Sequence, residues 1–182
     1  MKKIFLIFIL ISLISLNNLF SQIIYDFNSK VNLKDWYIVN DDVMGGVSFS
    51  QLEFDNNGNI IFNGQISLDN NGGFASMRCD LSVFNLSRKK VINLRVKGDK
   101  KTYQLRIKKN RYDYHSYVYS FSTSGNWEVI SINLSDMYPS FRGRRINDDN
   151  YNGRNIQQLS ILISNNVEEN FSLKIDKIFL SN

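Results

Sequence analysis

After residue 21 the chain never sustains a helical 3.6-residue repeat. Short apolar runs of two-residue alternation return instead, separated by turn signals roughly every 8–15 residues. Ile60, Phe62, Gly64, Ile66 and Leu68 share one side of such a run, with the hairpin dipeptide Asn57-Gly58 just before it. Ile92, Leu94 and Val96 oppose Asn93, Arg95 and Lys97, and the segment Tyr103-Gln104-Leu105-Arg106-Ile107-Lys108 repeats the pattern. Further runs begin at Ile23, Tyr117, Trp127, Gln158 and Phe171. A two-residue period gives each strand one core face and one wet face. Many such strands without a long helix predict an all-β, antiparallel sandwich or jelly roll.

Two glycine pairs punctuate these strands. In Trp36-Tyr37-Ile38-Val39-Asn40-Asp41-Asp42-Val43-Met44-Gly45-Gly46-Val47-Ser48, a short apolar strand runs into an acidic turn and then into Gly45-Gly46. Downstream, Asn70-Asn71-Gly72-Gly73 leads into a strand carrying Arg78. Asn and Asp favour turns, and a glycine pair permits positive φ or a close backbone approach. The reading is a structural corner anchored by a core Trp36, with a ligand loop displaying Asp41 and Asp42 as the alternative. Arg142 and Arg144 flank Gly143, so two guanidiniums project from a tight backbone. Either arginine is suited to latch onto Asp41 or Asp42 by bidentate pairing, or to stay free for an anionic ligand.

Lys2 and Lys3, an apolar run from Ile4 to Leu16 and the small residue Ser21 form the pattern of a secretory signal peptide covering residues 1–21. The run is shorter than the roughly 20 residues a membrane span needs. The expectation is therefore an exported, periplasmic or secreted protein with no membrane span in the mature chain, residues 22–182 forming one domain. A domain of that size buries about 70% of its unfolded surface and needs no staple. The single cysteine, Cys79, excludes an intrachain disulfide, and the single histidine, His115, makes a catalytic triad or a Cys/His metal site implausible. Oxygen donors are plentiful, but no EF-hand loop occurs. No cofactor and no metal are called for.

With 22 Lys and Arg against 17 Asp and Glu, the chain has a formal net charge of +5, and two of those lysines lie in the leader. Arg88-Lys89-Lys90, the segment from Lys97 to Lys101 and Lys108-Lys109-Asn110-Arg111 are scattered clusters, read as solvated loop and strand-end charges rather than a nucleic-acid face. The aromatic series Tyr112, Tyr114, Tyr117, Tyr119, Phe121 changes phase around His115-Ser116, which predicts a turn or bulge there. Tyr117, Tyr119 and Phe121 then face the core. Tyr112 and Tyr114, set among charges, are candidates for stacking on a sugar or anchoring a protein partner. Asp41 and Asp42 are adjacent and would point to opposite sides of a strand, while Glu128 and Asp176 sit on wet faces. No facing carboxylate pair for glycoside hydrolysis emerges, and the chain is read as non-catalytic.

With the strands placed, the sequence resembles the complex I intermediate-associated protein 30 family. The resemblance is carried by Trp36, Val39-Asn40-Asp41, Val43-Met44-Gly45-Gly46-Val47-Ser48, Phe62, Gly64, Asn70-Asn71-Gly72-Gly73-Phe74-Ala75-Ser76 and Arg78. It continues through Leu94-Arg95-Val96-Lys97-Gly98-Asp99, Trp127, Pro139 and Phe141-Arg142-Gly143-Arg144. It implies a galactose-binding-like β-sandwich akin to some carbohydrate-binding modules; Trp36, Gly45, Gly46, Gly72, Gly73, Trp127 and Gly143 are read from their own chemistry as structural residues. It also implies a non-enzymatic role, since the mitochondrial members assist assembly of respiratory complex I in the matrix. An export signal conflicts with that compartment. The function expected first is therefore protein–protein interaction, assembly or chaperone-like, with a partner in the cell envelope or outside the cell. The alternative is a carbohydrate-binding module for an envelope or extracellular glycan. The candidate binding residues are Asp41, Asp42, Arg78, Tyr112, Tyr114, Arg142 and Arg144.

Overall fold

The structure is a computed structural model that describes residues 21–28, 33–86 and 89–182. Residues 1–20 of the expected leader and Arg88 of the first basic cluster lie outside the described residues. Among the described residues thirteen strands are present: β1 Gln22–Asp26, β2 Trp36–Asn40, β3 Phe49–Phe54, β4 Ile60–Ile66, β5 Ala75–Asn85, β6 Val91–Lys97, β7 Thr102–Lys108, β8 Ser116–Ser122, β9 Glu128–Asn133, β10 Tyr138–Phe141, β11 Arg144–Arg145, β12 Asn155–Ile163 and β13 Glu169–Ser181. Among the described residues no helix is long and apolar enough to cross a membrane.

The strands form two antiparallel sheets. One runs β3-β4-β13-β6-β9, with β1 pairing the far end of β13; the other runs β11-β10-β8-β7-β12-β5-β2. Pairing β13 with both β4 and β6, and β12 with both β5 and β7, puts the two late strands at the sheet centres. That position gives both strands neighbours on either side, and β13 keeps the alternation of one core face and one wetter face.

Alternation places the core as the sequence predicts. Ile60, Phe62 and Ile66 of β4, Ile92, Leu94 and Val96 of β6, and Leu173 and Ile175 of β13 are buried from one sheet. Met77, Cys79, Tyr103, Leu105, Ile107, Leu159 and Ile161 meet them from the other. Each fully buried aliphatic side chain contributes about 1.5–3 kcal/mol relative to exposure, offset by the entropy of ordering the chain. Trp36 is core, packed edge-on to Tyr25 at 5.2 Å and tilted against Phe27 at 5.6 Å between ring centres. Tyr117 and Phe121 are buried and Tyr119 half-buried against the same core.

Several details depart from the sequence reading. Leu68 falls beyond the end of β4 and is exposed. Asn93 is buried on the supposed wet face of β6, where it donates to Ser181 at 3.0 Å and accepts from Ser131 at 2.7 Å. Asp176 is buried at an irregularity in the β13–β6 pairing and forms an ion pair with Arg95 at 2.6 Å. Trp127 precedes β9 and stays 37% exposed, with the Arg95 guanidinium 4.8 Å above its ring. Its structural role is thus on the outer surface, where the flat cation stacks on an aromatic face.

Candidate functional site

The acidic corner is a 3-10 turn at Asp41–Met44, not a strand continuation. Asp41 is 1% exposed and Asp42 is exposed. The Asp41 carboxylate accepts hydrogen bonds from the Ser48 hydroxyl at 2.5 Å, the Ser48 N–H at 3.1 Å, the Gly73 N–H at 2.6 Å and the Phe74 N–H at 3.3 Å. Both glycine pairs are explained by this carboxylate, because a Cβ at Gly46 or Gly72 would overlap it. Gly45 and Gly73 take positive φ, 85° and 129°. Burial pushes the Asp41 pKa up, but the hydrogen bonds from the Ser48 hydroxyl and the three N–H groups outweigh it and hold the carboxyl below its usual value. An arginine latch through Asp41 is therefore overturned: backbone N–H groups and a serine hydroxyl surround its carboxylate. Arg142 and Arg144 are exposed, with Arg142 lying 5.3 Å over the Phe141 ring.

The segment held by Asp41 leads to the wall of a cleft. The cleft, of about 490 Å³, opens on the solvent face of the seven-stranded sheet. Its floor is built by register. Arg78 of β5 lies opposite Ser160 of β12, which lies opposite Arg106 of β7. One pleat further along, Asp80, Gln158 and Lys108 form a second row, and Ser76, Leu162 and Gln104 form a third on the other side. Inward neighbours of these residues are core, so alternation presents the polar set outward.

Asn71 and Phe74 close one side of the cleft. Tyr114 and the turn Phe141-Arg142-Gly143 close the other, with Tyr114 edge-on to Phe141 at 5.4 Å. Consecutive positive φ values at Arg142, 49°, and Gly143, 76°, turn β10 into β11 in two residues. The mirror-image hairpin turn needs such residues, and this one thrusts Phe141 and Arg142 at the cleft.

Five of the sequence candidates meet different fates here. Arg78, Tyr114 and Arg142 line the cleft, whereas Arg144 and Tyr112 are not among its lining residues. Tyr112 is 87% exposed at the tip of the β7–β8 loop; Tyr114 is 66% exposed. Gln104, Arg106, Lys108, Gln158 and Ser160 were missed. Lys108 in particular is no freely solvated strand-end charge: its ammonium donates to the carbonyls of Asp113 at 2.7 Å and Arg111 at 3.4 Å. The signal for the missed residues is the polar alternation Gln104-Arg106-Lys108 and the polar Gln158 and Ser160 of β12.

Electrostatically the cleft is cationic. Burial lowers the pKa of Arg78, and it lowers those of Arg106 and Lys108 with the Arg78 charge adding to the depression in both. None of the lining residues carries a carboxylate. No group of three or more His, Cys, Asp or Glu suited to a metal occurs among the described residues.

The fold is an antiparallel two-sheet β-sandwich with an open polar cleft across one sheet. A family 11 carbohydrate-binding module from Clostridium thermocellum, in complex with a β-1,3-1,4-mixed-linked tetrasaccharide, is similar at TM-score 0.67 and 17% identity, covering 90% of this chain and 96% of that one. The family 11 module of a cellulosomal cellulase of Clostridium thermocellum is similar at TM-score 0.67 and 17% identity, covering 89% and 94%. An exo-β-agarase matches at TM-score 0.56 and 10% identity, over 88% of this chain and 25% of that chain. At such identities the likeness is one of fold. No curated protein sequence matches. The profile of Complex I intermediate-associated protein 30 matches residues 25–175, and the chain belongs to that family.

Proposed function

We propose that the chain is a non-catalytic carbohydrate-binding module whose ligand lies along the cleft of the seven-stranded sheet. The observation that carries this reading is the cleft itself, a polar, hydrogen-bonding floor walled by Phe74, Tyr114 and Phe141. Sugars present hydroxyls that pair with amides, hydroxyls and guanidiniums, and C–H faces that pack on aromatic rings. The tetrasaccharide bound by a module of the same fold supports this choice. Non-catalytic binding is supported by the lining, which holds no facing carboxylate pair of the kind that glycoside hydrolysis uses.

The cleft reverses the order in which the sequence places the two readings, since protein interaction rests on family kinship and one sandwich hosts many functions. Export by residues 1–21 belongs to the same proposal, because glycans of the envelope or the exterior would then be within reach. A mature N-terminus at or near Gln22, read by mass spectrometry of the extracytoplasmic fraction, is the expected result for that part.

The test of binding is a glycan array run with wild type and the Tyr114→Ala/Phe141→Ala variant, beside a pull-down from envelope extract. Binding to a discrete set of glycans that weakens in the variant is the expected result. A silent array together with one discrete protein partner would overturn the reading in favour of protein interaction.

A further inference from the structure

The charge of the cleft is more specific than a neutral sugar requires. Four cations, Arg78, Arg106, Lys108 and Arg142, line it with no lining carboxylate among them. The register sets Arg78 and Arg106 on either side of Ser160, so their Cα atoms stand two strand spacings apart, about 10 Å. Lys108 follows Arg106 by one full pleat on the same face, about 7 Å along β7.

Like charges at these separations repel, and their burial strengthens the repulsion. The ion pairs within 4 Å among the described residues engage Arg95, Lys101 and Lys174 instead. Arg78 donates from Nε to the Ser76 hydroxyl at 3.1 Å, which orients the guanidinium without neutralising it. Asp80, the nearest acidic neighbour in the register, accepts from Gln158 at 2.7 Å and lies outside the lining. Partly dehydrated cations of one sign, held over one cleft, favour an anion that supplies the missing charge. Guanidinium groups suit planar carboxylates and oxyanions, which they grip with two parallel N–H bonds.

We infer that the glycan of this cleft is acidic, carrying carboxylate or sulfate groups that sit between Arg78, Arg106 and Lys108. This rests on the carbohydrate-binding reading and names its ligand class. Asp80 beside Arg78 and Lys108, and Asp113 beside Lys108, offset part of the cationic charge from outside the lining. A neutral glycan would add nothing to that, whereas an acidic one gains charge-assisted hydrogen bonds that weaken as salt is added.

The test is affinity electrophoresis and titration calorimetry of the full mature chain with polygalacturonate, its fully methyl-esterified form, a sulfated galactan and a neutral galactan. Two variants accompany wild type: Arg106→Gln/Lys108→Gln in the cleft, and Lys97→Gln/Lys177→Gln on the other sheet, which removes the same charge elsewhere. Thermal melts of both variants establish that each is folded, and Arg78→Lys adds a charge-preserving cleft variant. The expected result is retention on an acidic polymer, weakened roughly tenfold or more by the cleft variant and little changed by the other-sheet control. Retention on polygalacturonate, on the sulfated galactan, or on both identifies the anionic group. Equal binding to esterified and free polymer, or binding to the neutral galactan alone, overturns the acidic ligand while leaving carbohydrate binding intact. Equal losses in the two double variants would reduce the effect to unspecific attraction and overturn the site. No retention on any polymer here, together with a silent array, overturns the carbohydrate reading itself.

Discussion

The Gly73 N–H donates to the Asp41 carboxylate at 2.6 Å, tying two corners that are 32 residues apart in the chain. Phe74, the next residue, stands in the cleft wall, so this bond couples a buried structural acid to the candidate binding surface.

Removing that carboxylate strands four donors at once, three backbone N–H groups and the Ser48 hydroxyl. Asp41→Ala is expected to lower the unfolding free energy by about 2–4 kcal/mol, since hydrogen bonds to a charged group are worth more than neutral ones and buried donors left unpaired are costly. Asp41→Asn should recover only part of the loss, because an amide has one acceptor oxygen where the carboxylate has two. Urea unfolding of the three proteins measures this, and wild-type stability in the alanine variant would exclude the anchoring role.

The same carboxylate makes stability depend on acid. Asp41 and Asp55 both have folded pKa values below the usual 3.8; burial opposes this in each, and hydrogen bonds outweigh it. A depressed folded pKa means that the folded state binds the proton less tightly than the unfolded chain. Their contribution is therefore fully present above the unfolded value, near pH 4, and fades as pH falls through the folded values. Unfolding curves between pH 7 and pH 2.5 should show an acid-side loss that is smaller in Asp41→Asn. An equal loss in both proteins would assign it to other groups.

Gly64 is a case where the fold admits no Cβ. It lies within β4, opposite Ser50 of β3, and a Cβ there would collide with the Phe49 carbonyl oxygen and the Ser50 backbone. Backbone cannot swing aside as a side-chain tip can, so Gly64→Ala should destabilise by about 1–3 kcal/mol or more and loosen β3. Amide exchange localised to β3 and β4 is the matching observation; an unchanged melting temperature would contradict it.

What the sequence reveals and what it conceals follow from one distinction. Alternation is local, so Tyr103, Leu105 and Ile107 could be assigned to the core from β7 alone. The glycine pairs were legible as corners for the same reason, because turn chemistry acts within a few residues. The cleft is non-local. Arg78 meets Ser160 and Ser160 meets Arg106 only once strand register is fixed, and no pattern within a single strand encodes that register. The alternation within β7 puts Arg106 and Lys108 on its wet face, but only the register through β12 makes them companions of Arg78. Asp41 misled in the opposite way. An acidic turn and two arginines around a tight glycine suggest an ion pair, yet the Gly73 and Phe74 N–H groups of a distant loop satisfy the Asp41 carboxylate instead.

Cys79 supplies the last expectation. The thiol is buried at the sheet interface, opposite Trp36 and Leu159 in the register. Burial first, and then the negative charges of Asp35 and Asp80, push its pKa up to about 12 from an ordinary 9.0. The thiolate is the reactive form, so the native protein should resist thiol reagents at pH 8 and label fully once unfolded. Above pH 9 the unfolded chain releases the thiol proton while the folded chain keeps it. This contribution to stability is therefore complete below the unfolded value and declines towards pH 12. A Cys79→Ala variant should lose that part of the alkaline decline, read by urea unfolding at pH 8 and pH 10. Rapid stoichiometric labelling of the native chain would show that the strands around Cys79 open far more readily than their packing implies.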